Sequence, residues 1–194
     1  MSYAVYKKLL APLVERLYRL EVRGVERVPL YGPLLVVANH ESVLDPFVLG
    51  AALPRPIRFV GKSELWEIPP AAWLLDAGGA IPIRRGGSDV SGVGAAVAAL
   101  DAGDAVAIFP GGGVIVGSPP WFRGAARMAI AAGAPVLPVR LLDTRRAIGR
   151  GTIGFPRVGV LVGEPIPVPP GKPTIASARA LTRAMQRAVE SLGT

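Results

Sequence analysis

The sequence contains no cysteine and a single histidine. The first absence excludes disulfides and thiolate chemistry and suits a reducing compartment. With one imidazole and no thiol, a zinc site would draw most of its ligands from carboxylates, so no metal site is expected. No run of about 18–20 apolar residues occurs, so no transmembrane helix is expected. The N-terminus lacks the apolar segment and small-residue cleavage site of a secretory signal. Negative charge is also scarce. There are 14 acidic against 22 basic residues, a net charge of +8. That excess suits an anionic partner, whether a membrane surface, a phosphorylated substrate, an acidic carrier or nucleic acid; it equally fits a solubility bias. Neither a recognisable nucleic-acid-binding fold nor a basic-aromatic stripe accompanies it, so nucleic acid is not expected as a partner.

What is present is a globular composition. Of 194 residues, 51% are hydrophobic, enough for one domain with a sizeable core. Residues 1–21 read as an N-terminal amphipathic helix, and residues 22–194 as the domain. Tyr3, Tyr6, Leu10, Leu13, Leu17 and Leu20 recur at helical steps, with Leu9 and Val14 widening the stripe. Pro12 kinks or splits that helix. Its apolar face either packs on the core or lies in a membrane interface; the stripe alone slightly favours the core. Downstream, short β-rich runs alternate with helical ones. Strands are expected near 22, 34–38, 57–60, 79–85, 105–109, 135–139 (interrupted by prolines) and 158–162. Helices are expected after Asp45, over 89–100, over 124–132 and over 175–192, the last presenting Leu181, Met185, Ala188 and Leu192 to the core. Alternation of this kind specifies an α/β sandwich. Residues 65–75 hold Trp66 and Trp73 around Pro69-Pro70. They either cover the core or face lipid or an acyl chain.

Two loop motifs fail. Gly111-Gly112-Gly113 with Gly117 follows a strand, but Pro119-Pro120 precludes the helix that a dinucleotide loop needs. No acidic residue follows before Asp143 to hold a ribose. No serine sits in a nucleophile elbow.

The histidine lies in Asn39-His40-Glu41-Ser42-Val43-Leu44-Asp45-Pro46, between the apolar runs 34–38 and 47–53. Asp45-Pro46 reads as a helix start, with Asp as the N-cap. On one continuous helix, residues five apart point roughly 140° away from each other. On a strand-to-helix turn the chain can fold back and bring carboxylate to imidazole, giving a general base with an orienting partner. The same residues also fit a loop histidine beside a simple cap.

Several segments in order carry a resemblance. Asn39-His40 to Asp45-Pro46 resembles the His-x-x-x-x-Asp signature of the glycerolipid acyltransferases, the 1-acyl-sn-glycerol-3-phosphate acyltransferase type. Phe59-Val60-Gly61-Lys62-Ser63-Glu64-Leu65, Gly79-Ala80-Ile81-Pro82-Ile83-Arg84-Arg85, Ile108-Phe109-Pro110 with Gly112, Phe122-Arg123-Gly124 and Gly163-Glu164-Pro165 are similar to its later segments. The resemblance implies a single-domain α/β sandwich of a mixed sheet flanked by helices. It implies that His40 deprotonates an acceptor hydroxyl and Asp45 orients the ring. The acyl group would come from acyl-CoA or acyl carrier protein, with no cofactor. Arg85, and with it Lys62, would hold the phosphate of a lysophosphatidic-acid-like acceptor, and Gly112 would stand at the site. It further implies a cytoplasmic protein, peripheral on the inner face of the membrane. One motif departs: Gly111, Gly113 and Val114 stand where the family has Glu, Thr and Arg. A charge-assisted bond is worth about 1.5–3 kcal/mol, so the lost Arg weakens a phosphate acceptor unless Arg84, Arg85 or Arg123 compensates. A non-phosphate lipid acceptor, or a non-catalytic lipid- or acyl-CoA-binding protein, are the alternatives.

Overall fold

β2 (Leu34–Ala38) is buried at all five positions, as expected of a strand covered on both faces. It is the centre of a seven-stranded sheet ordered β1-β9-β6-β2-β5-β3-β4. The other members are β1 (Glu21–Arg23), β3 (Ile57–Lys62), β4 (Ile81–Ile83), β5 (Ala105–Ile108), β6 (Val136–Leu142) and β9 (Gly159–Val162). β6, β2, β5, β3 and β4 are parallel; β9 runs antiparallel to β6 and parallel to β1, so the sheet is mixed. A separate two-stranded hairpin pairs β7 (Ile148–Gly149) with β8 (Thr152–Ile153). The computed structural model describes residues 6–84, 90–114, 119–149 and 152–193.

Alternation along β2 divides the core. Leu34, Val36 and Ala38 face one side, with Val48 and Leu49 of α2 (Asp45–Ala52) and Tyr18. Leu35 and Val37 face the other. There they meet α4 (Val90–Asp101), α5 (Gly124–Ala132) and α6 (Ile175–Ser191). The chain leaving β2 thus turns to one face through α2, and the chain leaving β5 turns to the opposite face through α5. A crevice is left at the carboxyl ends of these neighbouring strands, which is where open α/β sheets bind ligands.

Several expectations need correction. The N-terminal segment does split at Pro12, into a π-helical turn (Tyr6–Leu10) and α1 (Ala11–Leu17). Its buried face, however, is Ala11 and Tyr18, with Val14 packed alongside. Leu9, Leu13 and Leu17 are 63%, 55% and 40% exposed. The slight preference for a core-facing stripe is overturned at these positions. Pro69-Pro70 starts a helix, α3 (Pro69–Ala77), because proline's missing N–H costs nothing in the first turn. β6 is continuous through Pro138. The Pro138 carbonyl accepts from Gly163 N, so its nitrogen faces the flank where pairing with β9 has ended. On α6 the buried residues are Ala178, Thr182, Met185 and Val189, about one residue round from the expected stripe.

Candidate active site

The turn leaving β2 is tied to its neighbour by Asn39. Its amide nitrogen donates to the Leu141 carbonyl at 2.9 Å, and its carbonyl accepts from Leu141 N at 2.8 Å. The side chain thus extends the β2–β6 ladder past the last backbone register pair, Ala38 with Val139. His40 follows on a fixed stem. Sequence reasoning gave Asn39 no such role, because its partner lies on a distant strand.

Asp45 is the first residue of α2, not its cap; Leu44 holds the cap position and makes no side-chain cap bond. The carboxylate turns back instead. Its Oδ2 accepts from Glu41 N at 2.7 Å and Ser42 N at 3.0 Å, and lies 2.7 Å from His40 Nδ1. A carboxylate only accepts, so Nδ1 carries the hydrogen, and it is the neutral form of the ring that has a lone pair on Nε2. Asp45 is fully buried, while the His40 side chain is 17% exposed. Asp45 Oδ1 has no hydrogen-bond partner among the described residues. The imidazole stacks on Phe109, with ring centroids 4.1 Å apart and planes 17° apart. The ring is therefore held at its Nδ1 edge and on one face.

His40 opens onto a cavity of about 1500 Å³ at the carboxyl ends of β2, β5, β3 and β4. Lys62, Arg84, Gly112 and Arg123 line the same cavity. Lys62 ends β3, Arg84 follows β4, and Arg123 precedes α5. Among the described lining residues there is no Asp or Glu. Gly112 has φ +79°, a conformation that costs other residues about 1–2 kcal/mol, and its N–H donates to the Phe109 carbonyl. Arg85 lies outside the described residues.

A smaller cavity of about 310 Å³ meets the imidazole from another side, lined by Asn39, Glu41, Gly111 and Trp121 among others. A Cβ at Gly111 would come within 3.0 Å of Pro119 Cγ. The glycine where the resemblance calls for Glu therefore avoids a close contact that any side chain there would make with Pro119. Arg140 donates to the Glu190 and Leu192 carbonyls at the end of α6.

The acyltransferase family model matches residues 19–142, which include the whole His40–Asp45 turn and the β5 turn. The chain is 28% identical over 164 residues to the chloroplastic 1-acyl-sn-glycerol-3-phosphate acyltransferase BAT2 of Brassica napus, covering 77% of this chain and 45% of that protein. It is 44% identical over 57 residues to a lyso-ornithine lipid O-acyltransferase of Pseudomonas aeruginosa, covering 29% of this chain and 21% of that one. The chain thus spans less than half the length of these relatives. In fold it is similar to the crystal structure of the 1-acyl-sn-glycerophosphate acyltransferase PlsC of Thermotoga maritima. The TM-score is 0.72 at 24% identity, over 95% of this chain and 80% of that one. With the mixed sheet and the matched family model in agreement, the chain belongs to the acyltransferase family.

Proposed function

We propose that the protein transfers a fatty acyl group from a thioester donor, acyl-CoA or acyl carrier protein, to the hydroxyl of a lysophosphatidic-acid-like lipid. The observation that carries this reading is the 2.7 Å His40–Asp45 pair at the mouth of an uncharged-to-cationic cavity. The acceptor oxygen gives its proton to His40 Nε2 and attacks the thioester carbonyl carbon. Collapse of the tetrahedral intermediate breaks the C–S bond, and the imidazolium returns the proton to the departing sulfur. No covalent acyl-enzyme and no cofactor are required.

Lys62 and Arg84 stand on adjacent strand ends and hold the acceptor phosphate, with Arg85 following Arg84 in sequence. Gly112 keeps the β5 turn low beside the imidazole. Tyr6, Phe47 and Leu74 give the acyl chain an apolar wall. Exposed Leu9, Leu13 and Leu17 beside exposed Lys8 and Arg16 suit the surface of an anionic bilayer, from which a lysolipid would enter. Among the described residues no helix is long and apolar enough to cross a membrane. A peripheral position on the inner, cytoplasmic face of the membrane goes with this reading.

A second reading has its own support. Val114 stands where the family's phosphate-binding Arg is expected, and one relative is named for a lyso-ornithine lipid. The acceptor would then be an amino-lipid without phosphate. Labelled acyl-CoA offered with a panel of lysolipids separates the two. Acylation of lysophosphatidic acid, with KM raised about tenfold or more by Lys62→Ala, is expected. Product confined to acceptors without phosphate would move the assignment to the amino-lipid class. No His40-dependent product with any acceptor would leave a lipid- or acyl-CoA-binding protein.

A further inference from the structure

The cavity holds more positive charge than one phosphate needs. Arg127 lines it together with Arg123, on the opposite face of the sheet from α2. Residues four apart on a helix are neighbours, and like charges there repel. Both arginines also sit at the start of α5, where the helix dipole disfavours cations, and the first turn holds no acidic residue to offset them. Among the described residues neither side chain makes a hydrogen bond or ion pair. Two exposed arginines thus stand side by side, with no carboxylate partner among the described residues, at a cavity whose described lining holds no Asp or Glu. An anion in the cavity resolves this.

The reaction proposed above brings two anions. The acceptor phosphate takes the strand-end pair, Lys62 and Arg84. The thioester donor brings a second phosphate on its pantetheine arm, whether that arm belongs to CoA or to a carrier protein. On the α2 side the lining residues Tyr6, Val43, Phe47 and Gly50 carry no charge, so that side suits a hydrocarbon chain and not a second phosphate. Phe122 N, just before α5, donates to the Pro110 carbonyl at 2.9 Å, so the start of α5 stands beside the Phe109–Gly113 turn that flanks His40.

We propose that Arg127, with Arg123, forms the donor subsite and binds the phosphate of the phosphopantetheine arm. This rests on the acyl-transfer reading for its setting, but binding is measurable without transfer. Arg127 is exposed at the cavity wall, so its replacement leaves the core intact.

The test compares wild type with Arg127→Ala and Arg127→Lys, using acyl-CoA, acyl-4′-phosphopantetheine and S-acyl-N-acetylcysteamine, which has no phosphate. Calorimetric binding of CoA alone accompanies it. Arg127→Ala is expected to raise KM for acyl-CoA about tenfold or more and to weaken CoA binding by a similar factor. Arg127→Lys restores part of the loss. KM for the lysolipid, and kcat/KM with the N-acetylcysteamine thioester, stay unchanged. Loss with both phosphate-bearing donors assigns the pantetheine phosphate; loss with acyl-CoA alone assigns a nucleotide phosphate, which overturns the phosphopantetheine assignment. Unchanged CoA binding, or a rise confined to the lysolipid KM, overturns the subsite altogether. Arg127-dependent CoA binding in a protein without His40-dependent transfer would uphold the subsite and remove the transferase reading.

Discussion

His40 owes its orientation to Asp45, and Asp45 owes its own to the backbone. Two N–H groups and the imidazole converge on one oxygen of a fully buried carboxylate. Asp45→Asn places an amide where these donors need an acceptor, and it favours the wrong imidazole tautomer. It is expected to lower kcat by about two to four orders of magnitude with little change in KM, measurable by steady-state acyl transfer. Asn39 acts further back. Asn39→Ala orphans the Leu141 N–H and carbonyl, and is expected to cost about 1–3 kcal/mol in urea unfolding. The His-to-Asp spacing and the strand before it were legible because six residues of one turn contain the interaction. The Asn39–Leu141 pairing was not, since nothing local distinguishes an asparagine that completes a distant ladder from one that simply turns the chain.

Among the helices, α1 has the most consequential orientation. A helical leucine stripe does not say which way it faces; small Ala11 and aromatic Tyr18 win the core, and the larger leucines are left outside. Leu13→Glu and Leu17→Glu are therefore expected to leave the thermal midpoint unchanged while lowering binding to anionic vesicles roughly tenfold or more each. Equal vesicle binding would remove α1 from the membrane surface. At the far end of α2, buried Arg55 donates to the Pro29, Gly32 and Gly103 carbonyls. Its burial lowers its pKa, and the nearby Asp104 charge opposes that shift. In sequence Pro54-Arg55-Pro56 says only that a helix stops. In the fold it clamps two loops under β2, and Arg55→Met is expected to destabilise by on the order of 3 kcal/mol in denaturant titration.

The architecture as a unit follows from strand burial and crossover direction. α/β alternation was readable from the runs around Val36, Val106 and Leu137, whose neighbours are apolar on both faces of the sheet. The antiparallel return of β9, the β7–β8 hairpin and the helical fate of Pro69-Pro70 were not, because each depends on tertiary pairing or position within a turn. What the fold adds is convergence: His40, Lys62, Arg84 and Arg123, spread over 84 residues of numbering, line one cavity at the carboxyl end of the sheet. His40 is proposed as the base at that end of the sheet. The single-turnover rate of acyl transfer from labelled acyl-CoA, compared between wild type and His40→Ala, tests it most directly. A fall of about two to four orders of magnitude is predicted. Transfer at the wild-type rate by the variant would contradict it.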